Sequence, residues 1–158
     1  MDVEYNIRYP QLAHNYKVGA NWFYWIAALS IITSLIAFFG GGLQFIFSLG
    51  ITRIIDALAA GVSAGLGGNS AAKVIALVLD LIITGVFALF GYLSNQKQIW
   101  AYLIGAILFL MDGLLSLLFG EIINVLAHGF VLFFLFRGFM AGRELVALEK
   151  AMAQQAAI

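Results

Sequence analysis

In 158 residues there is no cysteine, one proline and two histidines, and charged side chains amount to 10%. The missing cysteine excludes disulfides, a thiolate nucleophile and Cys-ligated zinc or iron–sulfur centres. His14 and His128 are the whole histidine complement, so bis-histidine haem ligation between helices is unsupported, while a single axial histidine to a haem or pigment stays open. Eight Lys and Arg balance eight acidic residues and are scattered singly. There is no basic patch to neutralise phosphates, which sets nucleic acid aside. No GxSxG, HExxH, Walker loop or strand-bounded GxGxxG occurs. Ser116 with His128 has no convincing oxyanion site beside it, so no catalytic residue and no metal ligand set is nominated, and the chain reads as non-enzymatic.

Apolar residues, in contrast, make up 63%, and the mean hydropathy is +1.01. Soluble domains run at roughly 45–50% apolar and 25% charged, so the composition is that of an integral membrane protein. The mixed, polar start MDVEYNIRYPQ and a long first apolar run do not fit a cleaved signal peptide. The expected location is a bacterial-type inner membrane, with the lipid bilayer as solvent.

Apolar runs and their breaks predict an all-α bundle of five antiparallel helices with short loops. Residues 1–19 read as a polar arm whose Tyr5, Tyr9 and Tyr16, with Trp22, Tyr24 and Trp25, suit an aromatic belt at headgroup level. The bundle proper covers 20–143 and a polar tail covers 144–158. Helix 1 is expected from Asn21 to Phe39, ended by Gly40-Gly41-Gly42; helix 3 from Ala71 to Leu93; helix 4 from Ile99 to Phe119; helix 5 from Ile122 to Ala141, with an Ala-rich extension into water.

Helix 2, at 43–64, is either a fifth span or interfacial. Gln44, Ser48, Thr52 and Asp56 recur every four positions with Arg53 beside them, a stripe narrow enough for a span turned inward. Charge divides the other way. Five spans place Arg8, Lys17 and Lys73 opposite Lys97, Arg143 and Lys150, a tie, whereas four put Arg8, Lys17, Lys97, Arg143 and Lys150 on one side against Arg53 and Lys73. The stripe tips the expectation to five.

The chemistry of interest is a buried polar layer. Asp112 lies eight residues before Gly120 and His128 seven after Glu121, at matching depth on two helices joined there. Asp80 is as far from Gln96 as Asp112 is, and Asp56 falls at a similar level under five spans. With Arg53 a turn deeper and Asn124 on the face of His128, these residues either glue helices together or handle a proton or cation. Asn124 is expected to pair with Ser116 or a backbone carbonyl. Arg137 is expected to snorkel outward, and Gly138 to Gly142 to form a close helix contact.

The functional expectation is an accessory subunit packing in a homo-oligomeric or larger membrane complex. The alternatives are a proton or cation channel or transporter using the Asp/His layer, and a protein binding pigment, haem or lipid, with the cofactor unspecified.

Overall fold

The computed structural model describes residues 2–39, 49–65 and 70–155; the side chains of a few residues inside these helices, Arg53 and Asp56 among them, lie outside the description. Every described element is an α-helix: α1 Asp2–Phe38, α2 Gly50–Gly65, α3 Ser70–Asn95, α4 Ile99–Leu118 and α5 Ile122–Gln155. The glycine stop at 40–42, Gln44, Ser48 and the loop at 66–69 fall outside the described residues.

Four helices are long and apolar enough to cross a membrane, and α2 is not among them. At 16 residues α2 rises about 24 Å, short of the roughly 30 Å hydrocarbon core. The contacts at one end of the bundle also argue against a fifth full pass. Arg8 lies 3.6 Å from Glu144, Tyr9 donates to Glu149 at 2.8 Å, and Lys97 pairs with the same Glu149. An odd number of full passes would leave the two chain ends far apart. Among the described residues, four helices thus meet the length and apolarity that a span requires, where five spans were expected.

Helix 1 begins earlier than the expected Asn21: the polar arm is helical and continuous with α1, running through Pro10. A proline there removes one helix hydrogen bond, a loss offset because this stretch packs on the far end of α5. Tyr16 is buried, its ring fills the space a Cβ on Gly142 would need, and its hydroxyl donates to the carbonyl of Ser94. It is therefore a core residue and not part of an interfacial belt. Tyr24, Trp25 and Trp100 do face outward.

Gly138 and Gly142 make a close contact, but what they admit is tyrosine. The Tyr102 hydroxyl sits where a Cβ on Gly138 or Gly19 would stand, at 2.2 and 2.1 Å. Phe23 packs edge-on to Tyr102 at 5.4 Å, and Gly105 opens to the Phe23 ring. Glycines on α1, α4 and α5 thus let two tyrosines and a phenylalanine fill the helix crossings.

Both short links end their helices in the same way. Lys97 N–H bonds Ser94 O while Gln98 N–H bonds Leu93 O; Gly120 N–H bonds Leu117 O while Glu121 N–H bonds Ser116 O. Each is a Schellman stop, with the left-handed residue at φ 62° for Lys97 and 71° for Gly120. Polar and apolar residues are distributed inside out. Ser30, Ser34, Thr52, Asp80, Thr84, Ser94, Asp112, Ser116, Asn124 and His128 are buried, while Ile82, Leu110, Leu118, Ile122, Leu126, Phe133 and Phe136 are exposed. Apolar surface on this scale belongs against lipid or protein.

Candidate functional site: a buried carboxylate–imidazole pair at a helix N-terminus

Contacts between α4 and α5 run in opposite order along the two helices: Ser116 meets Asn124, Asp112 meets His128, and Tyr102 meets Gly138. This order follows from the tight Gly120 link, which brings residues at equal counts from the joint to one level. His128 Nε2 lies 2.9 Å from Asp112 Oδ2, with both side chains 5% exposed.

The other partners of Asp112 come from α2. Gly50 N–H donates to Oδ2 at 2.8 Å and Ile51 N–H to Oδ1 at 2.9 Å. The first N–H groups of any helix lack partners within the helix, and Leu49, at the capping position, has no side-chain oxygen to offer. A carboxylate from another helix supplies it, and its negative charge complements the positive end of the α2 dipole. Gly50 is required by the approach: a Cβ there would lie 3.0 Å from Ser116 Oγ and 3.1 Å from the Asp112 carbonyl.

Proton positions follow from the partners. His128 Nδ1 is 2.9 Å from the carbonyl of Asn124, which only accepts, so Nδ1 carries a proton. One further proton then lies between Nε2 and Oδ2, and the pair is neutral whether written as imidazolium–carboxylate or imidazole–carboxylic acid. A neutral, fully bonded pair avoids most of the cost of an isolated buried ion. The imidazole stacks on Phe109 at 4.6 Å with a 15° interplanar angle, and its edge and Cβ pack against Gly113. A cavity of about 10 Å³ adjoins it, walled by Trp22, Ile26, Leu29 and Val131, room for about one water. With both nitrogens engaged, His128 has no lone pair for a haem iron.

A polar chain leads away from the pair. Ser116 Oγ donates to the Asp112 carbonyl at 3.3 Å, and Asn124 Nδ2 donates to Ser116 Oγ at 3.0 Å and to Glu121 Oε2 at 3.2 Å. Glu121 is half-exposed at the α4–α5 joint, so the chain links the surface there to the interior.

The other nominated residues lie differently. Asp80 is fully buried on α3 and accepts from Ser34 of α1 at 2.9 Å, with Ser30 and Thr84 also buried on these two helices. Its described contact therefore ties α3 to α1 and not to the Asp112–His128 pair. The side chains of Arg53 and Asp56 are outside the description. Arg137 is exposed and donates to Asn15 at 3.0 Å. Among the described residues no group of three or more His, Asp or Glu is arranged to hold a metal. Sequence reasoning missed the α2 N-terminus as the partner of Asp112; the available signal was a helix start at Gly50 with no capping residue before it. Comparison with protein-family models, curated proteins and solved structures finds no match to this chain.

Proposed function

We propose that this chain is a non-catalytic, multi-pass membrane protein of four antiparallel spans, an accessory subunit that packs with copies of itself or in a larger membrane complex. Its polar interior serves to fix the helices. One observation carries the reading: the Asp112 carboxylate takes three donors, two of them backbone groups of α2, so its primary task is to seat a short helix whose N-terminus is buried in the protein. A residue committed in this way is poorly placed to bind and release a cargo. The outward apolar residues of α4 and α5 supply the surface for lipid and for neighbouring subunits. Four crossings place Arg8, Lys17, Lys97, Arg143 and Lys150 together, which by the positive-inside rule is the cytoplasmic side.

Purification in mild detergent followed by mass spectrometry of the intact assembly tests this. The expected result is a defined oligomer or a stable complex, unchanged in composition by pH or added cations, from protein that carries no ion flux in reconstituted vesicles. A monomer that carries ions would contradict it.

A second reading, proton handling, is favoured by the buried Asp112–His128 pair, beside which Ser116, Asn124 and Glu121 form a polar chain that ends on the Asp112 backbone carbonyl. It requires a pH-driven flux in reconstituted vesicles that Asp112→Asn abolishes. No flux in the wild type removes it.

A further inference from the structure

The crevice where α1, α2 and α3 diverge has features that the helix-fixing role leaves unused. It encloses about 290 Å³ and is lined by Ser34, Phe38, Ala59, Ala60, Lys73 and Ala76. A second crevice of about 250 Å³, walled by Ile55, Leu58, Val62, Ile75 and Leu79, shares Ala59 and Ala76 with it. Three alanines on facing helices keep the two spaces open where larger side chains would close them. Lys73 is exposed, and it is the first residue of the apolar stretch Lys73–Asn95, which places its ammonium at headgroup depth if α3 spans. Elsewhere in the described structure, Lys97 and Arg8 have carboxylate partners in Glu149 and Glu144. For Lys73 no such partner occurs among the described residues, and its ammonium stands at the mouth of the apolar crevices.

We infer that this crevice binds an anionic glycerophospholipid, with the phosphate on Lys73 and an acyl chain lying along Ala59 and Ala76. Charge complementarity selects the headgroup, and the apolar walls of both crevices select the chain. A long ammonium side chain at an interface reaches outward readily, so contact with a phosphate requires no rearrangement of α3. The inference rests on the membrane reading of the preceding subsection, and the test separates the two.

The full-length protein is reconstituted in phosphatidylcholine vesicles containing a minority of phosphatidylglycerol. It is then extracted in mild detergent and weighed by native mass spectrometry. Wild type is expected to retain phosphatidylglycerol in preference to phosphatidylcholine. Lys73→Gln is expected to lower that preference by about fivefold, Lys73→Arg to restore it, and Ala76→Phe to remove bound lipid of either kind. Lys73 is on the surface, so its variants fold, and the helical circular dichroism of Ala76→Phe confirms its own folding. Equal retention of both lipids by the wild type overturns the inference, as does retention unchanged in Lys73→Gln and Ala76→Phe. Protein that is resistant to carbonate extraction yet shows either result loses only the lipid site. Protein that never enters the vesicles loses both readings.

Discussion

Asp112 is the residue on which most of the interior depends, because its two oxygens serve three donors from two other helices. Asp112→Ala leaves two backbone N–H groups and an imidazole without their acceptor in a largely buried site. Breaking a buried charged pair by removing one partner costs about 3–5 kcal/mol. Asp112→Asn keeps one acceptor oxygen but turns an N–H₂ toward a donor, at about 1–3 kcal/mol. Unfolding in mixed detergent with increasing dodecyl sulfate is expected to rank wild type, Asn and Ala in that order, well resolved. Tyr102 gives the opposite kind of prediction. Its hydroxyl is buried with no hydrogen-bond partner and fills the space a Cβ on Gly138 would need. Tyr102→Phe is expected to be neutral or slightly stabilising, and Gly138→Ala to destabilise by about 1–3 kcal/mol through overpacking. The double variant should recover part of that loss, because Gly19 Cα remains 2.9 Å from the new Cβ.

Among the elements, the links are as informative as the helices. Lys97 holds a left-handed conformation at φ 62°, which disfavours any side chain with a Cβ by about 1–2 kcal/mol. Its ammonium pairs with Glu149, and both groups are substantially exposed, so the pair contributes little, about 0–1 kcal/mol. Lys97→Gly is accordingly expected to leave stability unchanged or raise it, measured by the same detergent titration. The hydrogen bond that Lys97 donates to Glu149, more than the charge of Glu149, raises the Lys97 pKa, while partial burial opposes it. A raised value in the folded state means the contribution is complete below the ordinary lysine value of about 10.4 and fades as pH climbs past it. The stability difference between wild type and Glu149→Gln should therefore stay constant from neutral pH to about pH 9 and shrink above that.

Helix ends and helix meetings differ in how well sequence reports them. Gly120 marks its stop openly, and equal counts outward from it bring Asp112 to His128. Lys97 conceals an identical stop behind a residue that rarely takes that conformation. The stripe on α2 suggested a span because four-residue spacing reports which face is buried and not how deep a helix begins. That Asp112 caps α2 was hidden because hydrogen bonds between a side chain and a backbone distant in sequence leave no periodic trace. That the arm at 2–19 continues α1 was not legible because its polar residues are satisfied by partners on α5, more than a hundred positions away.

For the whole molecule, contacts among Arg8, Glu144, Tyr9, Lys97 and Glu149 gather the beginning of α1, the α3–α4 link and the end of α5 at one end. The absence of native cysteine makes labelling clean. Single cysteines at His14, Gln96 and Gln154 are expected to react with a membrane-impermeant maleimide from the same side of sealed vesicles, and one at Gly120 from the other. Five crossings would instead put positions 14 and 154 on opposite sides.

α2 begins inside the protein, with its first amides against the Asp112 carboxylate. Amide hydrogen exchange of the reconstituted protein, resolved at Gly50 and Ile51, tests this directly. Strong protection at both amides in the wild type, lost in Asp112→Ala while the amides of α3 and α5 keep theirs, is the expected result. Fast exchange at Gly50 and Ile51 in the wild type, or protection unaltered by the substitution, would contradict it.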